Sequence, residues 1–405
     1  MTASHRIRVT HVTTVPMSLM FLRGQAAFMR ERGIDLSAVS SPGAELDAFG
    51  VEEGIPVYAV AMERRITPLK DLVSLARLYA HFRATKPDIV HAHTPKGGLL
   101  GTIAATLARV PRRIYHMRGL PLMGATGAKR ALLTLSERVS CALASEVLCV
   151  SHSLRTEALT LRLARAENIQ VLGGGSGQGV DTERFDPARF TADDRARTRT
   201  LLGIPADALV YGFVGRIVRD KGIRELVHAW QQVRERLPHA HLLVVGPSEA
   251  QDAIDVADRQ AMELDDRVHI VGFVTDTPAL YVAMDVVVLP TYREGFPNVP
   301  LEAASMARPV LATRIPGCID AVIDEKTGVL VPPRDTGSLA QALLRYADPS
   351  LRTRHGMNGR LRATACFGRQ VVLARLAAFY RLHGASVVDA HADNVRRGSH
   401  SETAL

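Results

Sequence analysis

The stretch that decides the fold runs from residue 285 to residue 306 and reads DVVVLPTYREGFPNVPLEAASM. Within its first six residues, the run VVVL has the continuous apolar, mostly β-branched character of a strand that is buried on both faces. A loop with glycine and prolines follows, and the residues after Asn298 have the small-residue pattern of a helix. Asn298 is a favourable N-cap, and Pro300 is tolerated in a first helical turn. The stretch therefore predicts a strand–loop–helix unit.

Strands alternate with helical patterns along the whole chain. Strand-like segments such as RIRVTHV, DIVHAHT, ALVYGFVGR and HLLVVGP are separated by helical ones such as LKDLVSLARLYAHFRAT. This alternation predicts parallel sheets that are covered on both faces and joined by right-handed crossovers. With 405 residues, the chain is long enough for two domains. The predicted fold class is α/β, with two doubly wound Rossmann-like domains that face each other across a cleft.

A glycine-rich segment, VLGGGSGQGVDTERFDPARF, interrupts the alternation and predicts a linker near residues 175–195 that acts as a hinge. The last helical pattern is predicted to end at Gly384 and to cross back to the first domain, and the rest of the chain reads as a solvated tail. The predicted segments are, in chain order, 1–180, 190–365, 366–384 and 385–405.

Charge indicates the class of partner, and cysteine content indicates the redox compartment. The chain has a net charge of +9, and the window from residue 77 to residue 138 contains 11 Lys/Arg and two acids. Such a basic window predicts a polyanionic partner (acidic lipid headgroups, a diphosphate or nucleic acid), although solvated arginines on helix faces are equally compatible with it. The four cysteines lack metal-site spacing, which favours reduced thiols and a cytoplasmic location. We expect neither a signal peptide nor a membrane-spanning helix.

Two acids flank the loop in the opening stretch. Open α/β sheets bind ligands at the carboxyl ends of their strands, and the amino end of a helix there suits a diphosphate. A carboxylate in that first turn would repel phosphate, so we assign Glu302 to ribose hydroxyls and Glu294 to hydroxyls of a sugar. Taken alone, the stretch is also compatible with a capped helix and two ordinary acids.

A second motif, GFVGRIVRDKGIREL, also follows a strand and opens a helix. Gly215 allows the backbone to pass close to a ligand, while Arg216 and Lys221 are both able to reach one pocket. Two such cations clamp a departing diphosphate, where negative charge grows as a glycosidic bond breaks. Taken alone, an Arg and a Lys beside a helix start would be ordinary surface residues.

A third segment, HIVGFVTDTPALY, follows another strand. Gly272, Phe273 and Val274 offer backbone groups and an apolar face to a nucleobase. Asp276 is predicted to cap the next helix.

The combination of G-R-x₄-K-G after one strand with E-G-F-P-N-x₃-E after another resembles the signature of family 4 retaining glycosyltransferases, which have the GT-B fold. The resemblance covers nearly the whole chain. The first half, with segments such as PDIVHAHTPKGGLLG and RGLPLMGATG, looks like the subgroup that builds capsule, O-antigen and lipid-linked oligosaccharides.

The resemblance implies roles for individual residues. Arg216 and Lys221 would stabilise the donor diphosphate, Glu294 would contact the transferred sugar, and these three are the catalytic candidates. The donor-binding candidates are Gly215, Gly272, Phe273, Val274, Gly295, Phe296, Pro297, Asn298, Val299 and Glu302. The first domain would bind the acceptor and the second the nucleotide sugar, with UDP favoured. Reaction with retention, in which the departing phosphate takes the acceptor proton, would need no metal and no cofactor, and the chain has no Asp-x-Asp motif.

The acceptor side is assigned to His93, His116 and Arg118. The family often has His where this chain has Arg118, so the sugar-facing role of that His is not transferred, and Arg118 is expected to meet an acceptor phosphate instead. His91 is expected to be structural, with one of the rings of His91 and His93 pointing inward and the other outward. We find no third ligand beside these two histidines and predict no metal site.

Three functions compete at this point. The first is sugar transfer from a nucleotide sugar to a glycan or a polyprenyl-diphosphate-linked saccharide, by an enzyme bound peripherally to the anionic inner face of the plasma membrane. The second is a nucleotide-sugar epimerase on the same fold, which would need acid/base carboxylates in the first domain. The third is nucleic-acid binding, which would need aromatic residues among the basic ones, and the basic window has few. We favour transfer, with no nucleic-acid partner.

Overall fold

The computed structural model describes residues 6–65, 67–250 and 252–398, with side chains up to Gly384. The chain forms two compact units. The first contains the residues up to Gly173 and those from Val372 onward, and the second runs from Gly174 to Val371. Among the described residues, no helix combines the length and the apolar character that crossing a membrane demands.

The first unit contains a sheet of seven strands in the order β3-β2-β1-β4-β5-β6-β7. Every neighbouring pair is parallel. The strands are β1 (Ile7–Val12), β2 (Ile34–Ser40), β3 (Val57–Ala59), β4 (Ile89–His93), β5 (Arg112–Met117), β6 (Glu146–Cys149) and β7 (Ile169–Val171). The central strand β4 is buried at all five positions, as expected for a parallel sheet that is covered on both faces.

Helices of the first unit pack their apolar stripes on this sheet. In α3 the buried residues Ser74, Leu78 and Phe82 recur every four positions, which is the spacing that predicted this helix. The α-helices are α1 (Gln25–Arg30), α2 (Ala44–Glu53), α3 (Pro68–Thr85), α4 (Pro95–Leu107), α5 (Gly127–Leu143) and α6 (His152–Thr160). Short 3₁₀ helices occupy Pro16–Leu22, Pro121–Gly124 and Ala166–Asn168.

The second unit contains a parallel sheet of six strands in the order β10-β9-β8-β11-β12-β13. The strands are β8 (Leu209–Val214), β9 (Ala240–Val245), β10 (Val268–Gly272), β11 (Val286–Leu289), β12 (Val310–Thr313) and β13 (Gly328–Val331). The predicted buried strand of the opening stretch is β11, and all four of its residues are buried.

Helices and short turns complete the second unit. The α-helices are α7 (Ala192–Leu201), α8 (Ile223–Arg236), α9 (Val256–Glu263), α10 (Pro278–Ala283), α11 (Val299–Ser305), α12 (Cys318–Ala321), α13 (Thr336–Arg345) and α14 (Pro349–Arg362). Two 3₁₀ helices, Pro187–Arg189 and Arg219–Lys221, and a π-helix, Ala363–Phe367, lie between them.

Both sheets reverse their strand order beside their first strand. In the first unit the reversal lies between β1 and β4, and in the second between β8 and β11. Loops that leave two strands on either side of such a point diverge to opposite faces of the sheet and leave a crevice at its carboxyl edge. In each unit we therefore expect ligands beside these two loops.

The final helix, α15, spans Arg369–Gly398 and joins the core of the first unit through Leu373, Leu376 and Tyr380. The predicted helix end at Gly384 was wrong. A Cβ atom on Gly384 would lie 2.6 Å from a side-chain carbon of Ile7, so this glycine allows close packing of the helix on β1. Residues 399–405 of the predicted tail lie outside the described residues.

The glycine-rich segment is held closely by the second unit. The backbone N–H of Val180 donates to the carbonyl of Phe367 at 2.8 Å, and that of Arg369 donates to the carbonyl of Val180 at 2.7 Å. A Cβ atom on Gly179 would lie 2.6 Å from the Phe367 carbonyl oxygen, which explains a glycine there. The hinge role of the segment stays a prediction.

Candidate active site

The loop after β8 is shaped by glycines. Gly222, at the amino end of α8, has a φ of +69°, and a Cβ atom there would lie 2.0 Å from the carbonyl oxygen of Pro290. Gly246, which follows β9, also allows a close backbone approach. A Cβ atom at this position would lie 1.8 Å from the carbonyl oxygen of Gly215. Glycines at these positions therefore bring the β8 loop against the ends of both neighbouring strands.

The loop after β11 is attached to the β8 loop through Asp220. The backbone N–H of Tyr292 donates to the Asp220 carbonyl at 2.9 Å, and the hydroxyl of Thr291 donates to the same oxygen at 3.2 Å. The guanidinium of Arg293 donates to the Asp220 carboxylate at 2.8 Å. Asp220, which the sequence analysis did not select, thus joins the two predicted motifs at the point where the strand order reverses.

Two of the predicted catalytic residues meet directly. The Nζ atom of Lys221 lies 2.5 Å from a carboxylate oxygen of Glu294, and the two side chains are 19% and 14% exposed. A cation and an acid from two loops separated by more than 70 residues are thus paired in a largely buried position. The sequence analysis did not predict this pair, and the roles assigned to the two residues stay predictions.

Arg216 has a different partner. Its guanidinium lies 2.7 Å from the carboxylate of Glu249, with the two side chains 52% and 39% exposed. Glu249 follows β9 and has no motif in the sequence that would have identified it. Both predicted phosphate-binding cations are therefore paired with carboxylates.

Replacing Glu249 by glutamine is expected to tighten donor binding by up to about fivefold at low salt, because an exposed ion pair is worth about 0.2–1 kcal/mol. The substitution frees Arg216 for an anionic ligand without changing the size of the side chain at 249. Titration calorimetry with UDP measures the effect, with Glu263→Gln on α9 as a control of equal charge change. Weaker binding by the Glu249 variant would contradict this competition.

Glu302 lies in the first turn of α11 and is half-buried. The buried hydroxyl of Tyr281 donates to its carboxylate at 2.7 Å. Desolvation raises the pKa of Glu302, and the Tyr281 hydrogen bond and the Arg184 charge offset this only in part. Tyr281, another residue that the motifs did not indicate, therefore fixes the orientation of the carboxylate that we assigned to ribose.

The helix start is only partly as predicted. Asn298 occupies the N-cap position of α11 and Pro300 lies in its first turn, but the Asn298 side chain makes no capping hydrogen bond. The backbone at Asn298 is helical, and this conformation does not aim a side chain at the next amides as an extended N-cap residue does. The predicted capping role of the Asn298 side chain is therefore wrong, because its side-chain amide makes no hydrogen bond to the first turn of the helix.

Two further features fix the backbone of this loop. Gly317 has a φ of +82°, and a Cβ atom there would lie 2.5 Å from the carbonyl oxygen of Gly295. The Phe296 ring packs against Phe367 at 5.4 Å between ring centroids. The Phe296 side chain therefore points into the core, and Pro297 is buried and Val299 half-buried beside it. This leaves the backbone of the loop as the part that is able to contact a ligand.

The third predicted segment lies at the end of β10. The carbonyl of Gly272 accepts a hydrogen bond from the backbone N–H of Gly246 at 2.8 Å, which places it beside the β9 loop. Phe273 is 73% exposed, an unusual state for so large an apolar ring, and Val274 is half-buried. Asp276 does not cap α10, whose N-cap residue is Thr277. It pairs instead with Arg184 at 2.9 Å, so that prediction was wrong.

The acceptor candidates lie in the first unit, at the carboxyl ends of the neighbouring strands β4 and β5, next to His11 of β1. The parallel register places His11 opposite His91 and His93 opposite His116. All four rings are buried. The prediction that His91 and His93 point to opposite faces was wrong, because residues two apart in a strand share a face, and their rings stack at 4.2 Å.

These histidines form a hydrogen-bonded network. The Nε atom of Arg118 donates to Nδ1 of His93 at 3.2 Å, and Nε2 of His93 is 2.9 Å from Nδ1 of His11. His91 bonds His116 at 3.2 Å and the hydroxyl of Tyr380 at 2.5 Å. Because Arg118 can only donate, His93 carries its proton on Nε2 and His11 accepts it on Nδ1.

Burial decides the charge of this network. Desolvation, with a contribution from the Arg118 charge, lowers the pKa of His11 to about 3. Desolvation and neighbouring charges also lower the pKa values of His91, His93 and His116 well below the usual value. The rings are therefore neutral at physiological pH, and the positive charge stays on the half-buried Arg118, whose pKa is lowered to about 9 by desolvation.

His11 is the third nitrogen ligand that the sequence analysis did not find. Ligand atoms of His11, His91 and His93 lie within 4.8 Å of one another, a spacing that a metal ion could use. The nitrogens of His91 and His93 are instead engaged in the hydrogen bonds just described, and the Arg118 guanidinium beside His93 would repel a dication. The geometry favours a polar network here, and independence from metal stays a prediction.

Tyr380→Phe is expected to lower the free energy of unfolding by about 1–3 kcal/mol, because it leaves the buried Nδ1 of His91 without a partner. Tyr346→Phe is a matched control, since the Tyr346 hydroxyl bonds His355 at 3.0 Å in the second unit. Hydrogen exchange should therefore accelerate in β4 for the first variant and leave β4 unchanged for the second. Unchanged exchange in β4 of the Tyr380 variant would contradict the structural role of this bond.

Comparison with known proteins places this geometry in a family. Residues 20–175 match the model described as glycosyl transferase 4-like domain, and residues 208–348 match that of glycosyl transferases group 1. A capsular polysaccharide biosynthesis glycosyltransferase, CapM of Staphylococcus aureus, is 36% identical over 374 residues, or 92% of this chain and 96% of its own. An Escherichia coli α-1,3-galactosyltransferase named for UDP-Gal and α-D-GlcNAc-diphosphoundecaprenol is 27% identical over 350 residues, or 85% and 88% of the two chains.

Solved structures show the same fold. The Anabaena protein Alr3699/HepE in complex with UDP superimposes with a TM-score of 0.77 at 22% identity, over 92% of this chain and 99% of that one. Two doubly wound parallel sheets with this likeness define the GT-B fold, which confirms the predicted fold class. The chain belongs to the family 4 glycosyltransferases, and its predicted enzyme class is confirmed.

Proposed function

We propose that the enzyme transfers a sugar, with retention of configuration, from a nucleotide sugar to a glycan or polyprenyl-diphosphate-linked saccharide during surface polysaccharide assembly. The staphylococcal relative is named for capsule synthesis, and the name of the Escherichia coli relative contains a diphosphoundecaprenol-linked sugar. Structures of the Anabaena protein contain UDP and UDP-glucose, which supports a UDP sugar as donor. The donor is assigned to the second unit and the acceptor to the first.

The observation that carries this proposal is the junction of the β8 and β11 loops. Asp220 holds the two loops together, and the junction presents Lys221, Glu294 and, nearby on the same β8 loop, Arg216. All of these residues lie at the carboxyl edge of the sheet where its strand order reverses, which is where doubly wound sheets bind nucleotides.

Donor binding would exchange partners at the Lys221–Glu294 pair. A diphosphate brings more negative charge than one carboxylate and competes for the Lys221 ammonium. Glu294 is then released to accept hydrogen bonds from sugar hydroxyls, since an ionised carboxylate only accepts. The Lys221–Glu294 ion pair thus holds both groups beside each other for the two roles assigned to them.

The chemical step needs stabilisation of a leaving group. The bond between the anomeric carbon and the diphosphate oxygen breaks, and a new bond forms to the acceptor oxygen on the same face of the sugar. The acceptor proton passes to the departing diphosphate oxygen. Lys221 and Arg216 lower the barrier because their charges act most strongly on the negative charge that grows on that oxygen. No metal ion enters this scheme.

The first unit supplies an uncompensated cation for the acceptor. Only the Nε atom of Arg118 has a hydrogen-bond partner among the described residues, and its guanidinium lies 4.5 Å from the centroid of the Phe21 ring. The four neighbouring histidines are neutral and cannot balance its charge. We assign Arg118 to an acceptor phosphate, with His93 positioning it and His116 beside it.

The setting that we propose is the cytoplasmic face of the inner membrane. Exposed Arg130 and Arg138 on α5 belong to the basic sequence window, and Leu135 between them is 58% exposed. Basic and apolar side chains on one helix favour adsorption to an anionic bilayer without a spanning segment. We do not expect nucleic acid as a partner.

A panel of labelled nucleotide sugars, incubated with and without a polyprenyl-diphosphate-linked monosaccharide, tests the proposal. We expect a lipid-linked product of one added sugar from a UDP sugar, and undiminished turnover in EDTA. Conversion of the donor to its epimer without acceptor would support the epimerase alternative. Turnover of no donor in the panel would count against sugar transfer from these nucleotides.

A further inference from the structure

The first unit has its own crevice where its strand order reverses, and the proposed function places the acceptor in this unit without assigning any ligand group to the residues that line the crevice. A cavity of about 530 Å³ lies there, and its lining includes Thr14 from the loop after β1 and Thr94 from the loop after β4. This is the position that corresponds, in the second unit, to the β8 and β11 loops. A cavity of this size is typical of pockets that bind small molecules.

The polar end of the cavity is held in a fixed geometry. The hydroxyls of Thr14 and Thr94 lie 2.7 Å apart, and the Thr14 hydroxyl accepts a hydrogen bond from the backbone N–H of Gly97 at 2.9 Å. Thr94 has a φ of +66°, a conformation that β-branched residues rarely adopt. Strained backbone of this kind persists where the surroundings enforce it, and it concentrates at ligand sites.

The charge of the cavity lining is unbalanced. It includes three cations, Arg64, Lys96 and Lys129, and one acid, Asp71, so its net charge is +2. Lys96 and Asp71 form an ion pair at 2.8 Å, which neutralises both. Neither Arg64 nor Lys129 has a hydrogen-bond or ion-pair partner among the residues that the structure describes. Two free cations at the edge of a pocket match the charge of a diphosphate.

The remaining wall is apolar. Val15, Leu99, Leu100, Leu132 and Leu133 line it, and Leu132 on α5 is 46% exposed. The 3₁₀ helix Pro16–Leu22 contributes Ser18 to the lining, and outside the lining it carries Met17 and Met20, which are 68% and 51% exposed. Apolar side chains left in water beside free cations are typical of a surface that binds an amphiphile with an anionic head.

We propose that this cavity binds the phosphorylated isoprenoid end of the acceptor. The acceptor diphosphate, which we assigned to Arg118, would also meet Lys129 and Arg64 of the cavity, and the first hydrocarbon units would lie along the leucines of α4 and α5. The inference rests on the proposed function, because it names the part of a lipid-linked acceptor that the first unit holds. It commits to a single lipid molecule in a pocket, and adsorption to a bilayer surface would be a different result.

Titration calorimetry on the full chain with farnesyl diphosphate tests the site, with inorganic pyrophosphate and farnesol as separate probes of head and tail. Lys129→Gln and Leu132→Gln are each expected to weaken farnesyl diphosphate binding by about tenfold, since one removes a charged contact and the other apolar area. Matched controls are Lys86→Gln and Leu107→Gln, exposed residues of the same unit outside the cavity lining. They should bind like the wild type.

Any one of the following outcomes would overturn the inference that the cavity binds a lipid diphosphate. Unchanged affinity in both cavity variants, or equal losses in the controls, would remove the site. Pyrophosphate binding as tight as that of farnesyl diphosphate would leave an anion site without a role for the lipid. Variants that lose binding to phosphatidylglycerol vesicles while keeping their affinity for farnesyl diphosphate would assign these residues to the membrane surface.

UDP binding by the same variants separates this inference from the proposed function. If every variant binds UDP normally and the wild type binds no farnesyl diphosphate, the lipid site alone fails. If the wild type binds farnesyl diphosphate and no nucleotide is bound or turned over, the donor assignment fails and the cavity stands.

Discussion

Lys221→Ala is expected to lower kcat by about 10²–10³-fold, with a smaller change in KM for the donor, because the ammonium acts mainly on charge that develops in the transition state. The side chain is only 19% exposed, so its field on a bound diphosphate is weakly screened by water. Initial rates with the UDP sugar identified in the panel measure the effect.

Arg219→Ala is the matched control, because Arg219 lies in the same 3₁₀ turn. Its side chain is 62% exposed and pairs with Asp255 at 2.7 Å, away from Glu294. We expect it to retain nearly all activity. The substitution at Lys221 also leaves Glu294 unpaired, so Lys221→Ala/Glu294→Gln should restore stability without restoring kcat. Wild-type turnover by Lys221→Ala would remove the proposed leaving-group role.

Much of the fold could be predicted because parallel strands in covered sheets have a strong local signal. The four residues of β11 and the six of β9 are all apolar or buried, and such runs between helical patterns have few other interpretations. The sequence predicted a helix end at Gly384, because glycine after a periodic pattern normally indicates a C-cap. The helix instead continues to Gly398. Only the contact with Ile7 shows that Gly384 serves helix–strand packing.

The site was predictable where its residues share a motif and not where they meet across loops. Lys221 and Glu294 each lie in a motif, and the order of β8 and β11 in the sheet places the two motifs side by side, but the ion pair between them depends on the loops. Glu249 and Tyr281 are fixed by contacts with residues 33 and 21 positions away, and neither has a local pattern. A pairing that depends on loop geometry has no periodic signal in the sequence.

The histidine network shows a different kind of limit. His11 and His91 become neighbours through the pairing of β1 with β4, although 80 residues separate them in the chain. The two-residue period of a strand places His91 and His93 on one face, whereas the position of His11 beside them depends on the register between β1 and β4. The link from His91 to Tyr380 depends on where α15 packs, which no local pattern indicates.

Glu302→Gln is expected to raise KM for the donor by about 10–100-fold with a smaller effect on kcat. An ionised carboxylate that accepts hydrogen bonds from two ribose hydroxyls contributes about 1.5–3 kcal/mol, and the amide retains only one acceptor oxygen. Steady-state kinetics with the UDP sugar, and calorimetry with UDP, measure the change. An unchanged KM would assign the ribose contact to another group.

The pH dependence of donor binding tests the same carboxylate by a second route. Desolvation raises the pKa of Glu302, so as the pH falls it becomes protonated earlier than an ordinary glutamate, and donor affinity should fall with it. Glu302→Gln should lose this dependence, whereas Tyr281→Phe should keep it and shift it to higher pH, because the Tyr281 hydrogen bond is what lowers that pKa. Since burial favours the protonated form of Glu302, this group stabilises the native state at low pH and loses that contribution as the pH rises through its folded pKa. Weaker donor binding at low pH therefore cannot be attributed to unfolding driven by this residue.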